Sequence, residues 1–295
     1  MLPQHLYNHL LELLSIQLNQ NVNTLIASSI GGGSINQTYQ LQLPGNQPLF
    51  CKVNSASQFP HLFLKEKRGL QVLDKTGKIK VPKVVAYTVF DNNQVLLLEW
   101  IESGAKDKSF FKLFGQQLAA LHQCGYHQFG FDEDNYMGSV PQQNTYTSNW
   151  CTFFIEQRLK PLVKKCSDQH LLSANDITLL DKVYARLPQI FDVAQQPVLL
   201  HGDLWSGNYM CNKAGEPILV DPAVYYGHRS VDLAMTTLFD GFRRTFYDAY
   251  HYYHPLPINY KEQWKACNLY PLLIHFILFG KTYLAEIQQI LDGFA

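Results

Sequence analysis

The hydrophobic pattern of this chain changes period once, near residue 102. Before that point, short apolar segments alternate with the two-residue period of half-buried strands: TLIASSI (24–30), TYQLQLP (38–44), PLFCKVN (48–54), then VPKVVAYTVF and QVLLLEW around the turn DNN. Two helices accompany them. One is the amphipathic N-terminal segment MLPQHLYNHLLELLSIQLNQ. The other is Pro60–Lys75, with Leu62, Phe63, Leu70 and Leu73 on one face. Beyond the polar stretch ESGAKDK, apolar residues recur every three or four positions over Ser109–Cys124, Ser148–Cys166, Leu171–Leu187 and from Val231 onward. The change of period predicts an α+β chain in two lobes: a small β-rich N-lobe (1–101) and a larger, mainly helical C-lobe (102–295). A length of 295 residues suits two such lobes at roughly 100–200 residues per domain.

Charge and cysteine usage narrow the partners. Lys plus Arg equals Asp plus Glu, 24 each, so the basic excess used to bind nucleic-acid phosphates is missing and no nucleic acid is expected. The most apolar stretch, LYPLLIHFILFG (269–280), is far shorter than the ~20 residues of a membrane span and carries Pro271 and His275. It reads as a buried C-terminal helix, with no membrane association. The N-terminus has neither a basic region nor a small-residue cleavage site, so no signal peptide is expected. The six cysteines form no C-x-x-C pair and no zinc-like cluster. They read as reduced core thiols of a cytoplasmic protein, expected to act as a monomer.

Two short apolar runs, PVLL and PILV, interrupt the helical half. Between them lies LLHGDLWSGNYM, and PILV ends in Asp221. Transfer of a phosphoryl group from ATP to a hydroxyl needs backbone donors over the triphosphate and a carboxylate-held lysine on its α/β oxygens. It also needs oxygen ligands for Mg²⁺ and a carboxylate to take the hydroxyl proton. The chain offers these parts in kinase order. GGGSIN (Gly31, Gly32, Gly33, Ser34 through Asn36) is the phosphate cover between two strands. Lys52 lies on the third strand and Glu66 on the following helix. Glu99 and Ile101 stand where a strand leads into a connector, with backbone groups for adenine. Asp203 is the candidate base, and Asn208 and Asp221 are the candidate Mg²⁺ ligands. The interval from Asp203 to Asn208 is that of the protein-kinase loop H-R-D-L-x-x-x-N. Each part alone has a plain structural reading as flexible loop, strand-edge lysine, solvated helix face or capping turn. Their joint order makes the protein-kinase-like fold the expectation.

HGD in place of H-R-D, DPA in place of D-F-G, and no following A-P-E separate the chain from eukaryotic protein kinases. The pattern resembles the small-molecule kinases related to aminoglycoside and choline kinases. More specifically, GGGSINQTYQL, FCKVN, VPKVVAY, LAALHQC, FGFDEDNYMGSVPQQN, NWCTFFIEQRLKP, LLHGDLWSGN, DPAVYYGHRSVDLAMTTLFDGF and LYPLLIHFILFG resemble the fructosamine (ketosamine) kinase family over residues 31–280. The resemblance implies ATP-dependent phosphorylation of a sugar hydroxyl on a ketosamine, free or protein-bound, and hence deglycation repair. It implies ATP lying between the lobes under Gly31–Ser34. Members of this family often carry a cysteine after the three glycines. Ser34 stands there instead, so thiol-based regulation through that loop does not carry over.

On the substrate side, Trp205 offers a flat face to a sugar or amine. Tyr225, Tyr226, His228 and Arg229 crowd the segment after Asp221 and read as pocket rim. His201 is grouped with them as a brace of the loop. Asp232 is placed either to meet the substrate amine or, preferably, to cap the next helix. The alternatives are another small-molecule kinase, with an aminoglycoside, choline or sugar acceptor, and an inactive nucleotide-binding module.

Overall fold

The computed structural model describes residues 2–31, 35–191 and 195–294. Gly32, Gly33 and Ser34 of the expected phosphate cover therefore lie outside the described residues. Two compact units form: residues up to Ala105 together with Met210–Val220, and Lys106–Tyr209 together with Asp221 onward.

The first unit is built on an antiparallel sheet. Helix α1 (Gln4–Gln17) precedes strands β1 (Ile26–Ser29), β2 (Gln37–Gln42) and β3 (Leu49–Ser55). Helix α2 (Leu62–Thr76) follows, then β4 (Val84–Phe90) and β5 (Asn93–Glu99). The sheet order is β1-β2-β3-β5-β4. Period-two alternation decides what each face carries. Cys51 and Val53 of β3 join Tyr39, Leu41, Val95 and Leu97 in a core closed by Leu6, Leu10 and Leu14 of α1. Lys52 must then point to the opposite face. Strands β1 and β2 pair antiparallel from Ile26↔Gln42 to Ser29↔Tyr39.

The hairpin 210–220 belongs to this unit by its contacts. The Leu219 N–H donates to Lys80 O at 2.9 Å and the Gly104 N–H to Cys211 O at 2.8 Å. A Cβ on Gly104 would overlap the Asn212 carbonyl, which explains the glycine in ESGAKDK. The chain leaves this hairpin at one end toward Asn208 and at the other directly into Asp221.

The second unit is mainly helical: α3 (Phe110–Leu121), α4 (Trp150–Phe153), α5 (Lys160–Asp168), α6 (Ala174–Ile190), α7 (Ser230–Met235), α8 (Arg244–Tyr253), α9 (Tyr260–Phe279) and α10 (Leu284–Asp292). Helix α9 contains the apolar stretch read as a buried helix. Its Leu269–Ile274 and Phe276 lie in the core. Two small antiparallel pairs punctuate the helices. One joins β6 (Asn135–Met137) to β7 (Val140–Gln142). The other joins β8 (Val198–Leu200) to β9 (Tyr225–Gly227).

The single helix expected over Ser148–Cys166 is interrupted. Residues Phe154–Leu159 form a π-helical stretch between α4 and α5. Such stretches are costly in regular helices and concentrate at functional positions. This one carries Arg158, whose side chain is fully buried. All six cysteines are thiols, five of them buried. Among the described residues, no helix is long and apolar enough to cross a membrane.

Candidate active site

In the first unit, Lys52 Nζ donates to Glu66 Oε1 at 2.7 Å, and Lys52 is only 3 % exposed. Sheet alternation sets the lysine, while the helix start sets the glutamate. Buried Gln94 of β5 accepts the Phe63 N–H at 3.0 Å and donates to Ser55 O and Phe59 O, fixing the first turn of α2. Gln94 was not legible as a site residue, because its partners are backbone groups of a distant segment. Asn36 is held from the same sheet face, accepting from Asn54 Nδ2 at 2.7 Å. The Glu99 N–H is committed to Lys83 O at 2.9 Å, and its carboxylate accepts from Lys83 N–H. Ile101 stands two residues past β5, half-buried. A buried charge-assisted bond of the Lys52–Glu66 kind is worth about 1.5–3 kcal/mol. Glu66→Gln should therefore weaken ATP affinity about 10- to 100-fold in isothermal titration, and unchanged affinity would remove Glu66 from the site.

In the second unit, the segment from His201 to Asn208 forms one loop after β8. Asn208 Nδ2 donates to the Asp203 carbonyl at 2.8 Å, which leaves Oδ1 to accept or to ligate. The Asp203 N–H donates to His201 Nδ1 at 3.3 Å, and His201 is fully buried. Burial pushes the Asp203 carboxyl up to about 7, and the charges of Asp221 and Asp232 add to the rise against the Asn208 hydrogen bond. Asp203 and Asp221, 18 positions apart, are thus brought within mutual electrostatic reach. Asp221 is exposed and adopts a left-handed backbone, φ +54°. Trp205 is half-buried, packed edge-to-face on Phe239 at 5.7 Å, which in turn lies 4.8 Å from the His275 ring.

Asp232, preferred as the cap of the next helix, does not cap it. It lies within the first turn of α7, and its carboxylate accepts the His201 and Gly202 N–H groups, both at 2.8 Å. His122 Nε2 is 3.1 Å away, with its other ring nitrogen on the Tyr250 hydroxyl. Burial alone would raise the Asp232 carboxyl; the hydrogen bond and charge of His122, with His201 and the Gly202 N–H, hold it below its ordinary value. The carboxylate therefore pins the loop that carries Asp203. His122, at the end of α3, went unassigned in the sequence because its partner lies 110 residues away.

Three substrate-side expectations are corrected. Tyr225 is wholly buried beneath the Arg158 guanidinium, 4.1 Å from its ring centroid, and so is core and not rim. Arg229 is 7 % exposed and spends its guanidinium on the carbonyls of His254 and Pro255. His228, likewise expected at the rim, is fully buried, which together with Arg229 lowers its pKa to about 3. Native His228 stays neutral where an unfolded chain takes up a proton. Stability should accordingly fall as pH drops from about 6.5 toward 3, and replacing His228 with glutamine should flatten that fall in thermal melts.

The donor set suits Mg²⁺. Asn208 and Asp221 offer only oxygen ligands, and the raised Asp203 carboxyl marks a concentration of negative charge. Among the described residues, no three His, Cys, Asp or Glu side chains gather as a complete metal cage. A cation completed by water and phosphate oxygens needs none.

Comparison with known proteins identifies the family and the fold. The model of the fructosamine kinase family matches residues 6–294. A Synechocystis protein described as a probable ketoamine kinase is 40% identical over 264 residues, covering 89% of this chain and 88% of that protein. The chloroplastic protein-ribulosamine 3-kinase of Arabidopsis thaliana is 35% identical over 273 residues, covering 90% and 81%. A candidate fructosamine-3-kinase from Thermobifida fusca superposes with a TM-score of 0.87 at 30% identity, covering 97% of this chain and 98% of its own. The choline kinase LicA of Streptococcus pneumoniae, at 16% identity and a TM-score of 0.58, shares the fold, covering 99% of each chain. The expected protein-kinase-like α+β class is therefore the observed one.

Proposed function

The chain belongs to the fructosamine kinase family, and on that premise we propose how its residues carry out ATP-dependent phosphorylation of a sugar hydroxyl on a ketosamine. The observation that carries the reading is the loop that ties Asn208 to Asp203 while placing Asp203 in the field of Asp221. Base and metal-ligand chemistry thus meet in one short constellation.

Lys52, oriented by Glu66, neutralises the α/β-phosphates. The backbone of Gly31–Ser34, with Asn36, covers the triphosphate, and Glu99 and Ile101 meet adenine. Asn208 and Asp221 would hold Mg²⁺, which when bound supplies charge neutralisation on the β/γ-phosphates. Asp203 accepts the acceptor hydroxyl's proton as that oxygen attacks the γ-phosphorus and the bond from the γ-phosphorus to the β,γ-bridging oxygen breaks, releasing ADP. A carboxylate whose proton affinity is raised toward neutrality is a stronger base than an ordinary aspartate. Trp205 presents its exposed ring surface to the sugar or its amine. Asp232 and His201 act only by holding the loop. The reading includes a cytosolic monomer, and the unbridged thiols suit a reducing compartment.

A panel of glycated lysine, a ribulose-amine, choline and kanamycin, each with Mg²⁺ and ATP, tests the acceptor class. Turnover of the ketosamines is expected. Turnover confined to choline or kanamycin would transfer the chain to another small-molecule kinase, and no turnover of any acceptor would favour an inactive nucleotide-binding module.

A further inference from the structure

The hairpin β6–β7 carries buried amides that the proposed mechanism does not use. Asn135 and Gln142 stand directly opposite each other in the hairpin, so their side chains share one face. Gln142 is 1 % exposed and Asn135 6 %. Gln142 Nε2 donates to Asn135 Oδ1 at 2.8 Å and to the Ala223 carbonyl at 3.2 Å, and its Oε1 accepts the Tyr270 hydroxyl at 2.8 Å. Asn135 Nδ2 donates to the Val224 carbonyl at 2.8 Å. Two successive carbonyls just after Asp221 are therefore gripped by side chains from a segment about 80 residues earlier.

The grip is itself fixed from behind. Asn144 Nδ2 donates to Asn135 Oδ1 at 3.0 Å, and Arg158 Nη2 donates to Asn144 Oδ1 at 2.7 Å. The Arg158 guanidinium is wholly buried, stacked between aromatic rings, and no carboxylate among the described residues pairs with it. A buried cation on a π-helical stretch, with amides as its hydrogen-bond partners, is a poor device for stability alone.

The same peptide is pinned from the catalytic side. The Ala223 N–H donates to His201 O at 2.9 Å, and a Cβ on Gly202 (φ +85°) would overlap the Ala223 carbonyl. Ala223 thus links the Asp203 loop to the Asp221 segment, with Gln142 on its remaining side. Asp221 holds a left-handed conformation that non-glycine residues keep only where their surroundings over-determine it.

We propose that Gln142, set by Asn135 and Tyr270, is a positioning residue that fixes where Asp221 presents its carboxylate to the metal. This rests on the reading of Asn208 and Asp221 as Mg²⁺ ligands. Outer-shell partners of metal ligands commonly control affinity by 10- to 100-fold.

The test is ATP binding by isothermal titration with and without Mg²⁺, on wild type, Gln142→Met, Tyr270→Phe and Gln263→Met, with thermal melts of each. Gln263 is an equally buried glutamine bonded to Ser230 and Ile190, and it serves as the control for loss of a buried amide. In wild type, Mg²⁺ should tighten ATP. Gln142→Met should lose that gain by about tenfold or more, with Tyr270→Phe losing a smaller part and Gln263→Met retaining it despite a lower Tm. A folded Gln142→Met that keeps the full gain overturns the proposal. So does an equal loss in Gln263→Met. If Gln142→Met does not fold, Tyr270→Phe decides, and an unchanged gain there overturns the proposal. A wild type in which Mg²⁺ does not tighten ATP refutes the metal-ligand reading itself.

Discussion

Asp203→Asn should yield a protein that still binds ATP but transfers phosphate about 10²- to 10⁴-fold more slowly, the range for loss of a positioned base. The same variant should be more stable than wild type in metal-free buffer at pH 8. The native carboxyl lies near 7, against an ordinary 3.8, because burial and the Asp221 charge disfavour its ionised form. Ionised Asp203 thus costs native stability above pH 7. That cost shrinks as pH falls through 7 and is gone below about pH 4. Relief of about 1–2 kcal/mol corresponds to a Tm roughly 3–6 °C higher at pH 8, with the difference closing toward pH 4. Slowed turnover with a stability gain is the signature of a charge held for chemistry. An active Asp203→Asn would end its assignment as base, and a lower Tm at pH 8 would show that burial and Asp221 do not strain it.

Asp232→Ala should be the most destabilising of the single changes considered. It removes one carboxylate that accepts two backbone N–H groups and faces His122, all beneath the loop that carries Asp203. Breaking a buried charged interaction on one side costs about 3–5 kcal/mol, or roughly 6–15 °C in Tm. Asp232→Asn retains the shape and one acceptor oxygen, so its loss should be smaller, about 1–3 kcal/mol. In both variants kcat should fall with Tm, because the loop being released carries Asp203 and Asn208. Calorimetric melts decide the matter: a Tm for Asp232→Ala within 2 °C of wild type, on the scale of about half a kcal/mol, would mean the loop is held by something else.

The features that local pattern encodes were legible in the sequence. Lys52 falls opposite Cys51 and Val53 because strands alternate, and Glu66 follows from the next helix. The five-residue interval from Asp203 to Asn208 closes a turn in which the asparagine amide reaches the aspartate carbonyl. Residues whose meaning depends on distant partners were not legible. His122, Gln142 and Arg158 look like ordinary polar positions on helix or hairpin, and only folding brings them to Asp232, Ala223 and Asn144. Tyr225 and Arg229 misled for the same reason: a polar aromatic cluster just after Asp221 resembles a rim until Arg158 and the carbonyls of His254 and Pro255 are seen to absorb it. The π-helical stretch was hidden because a recurrence every three or four residues cannot reveal one extra residue in a turn.

Phosphorus NMR of the wild-type reaction with ATP, Mg²⁺ and a ribulose- or fructose-modified lysine tests the central claim most directly. The account predicts one new phosphomonoester resonance, coupled to a sugar proton or carbon and growing in step with ADP. ADP and inorganic phosphate without a sugar phosphate, or phosphate appearing only on choline or kanamycin added in competition, would contradict it.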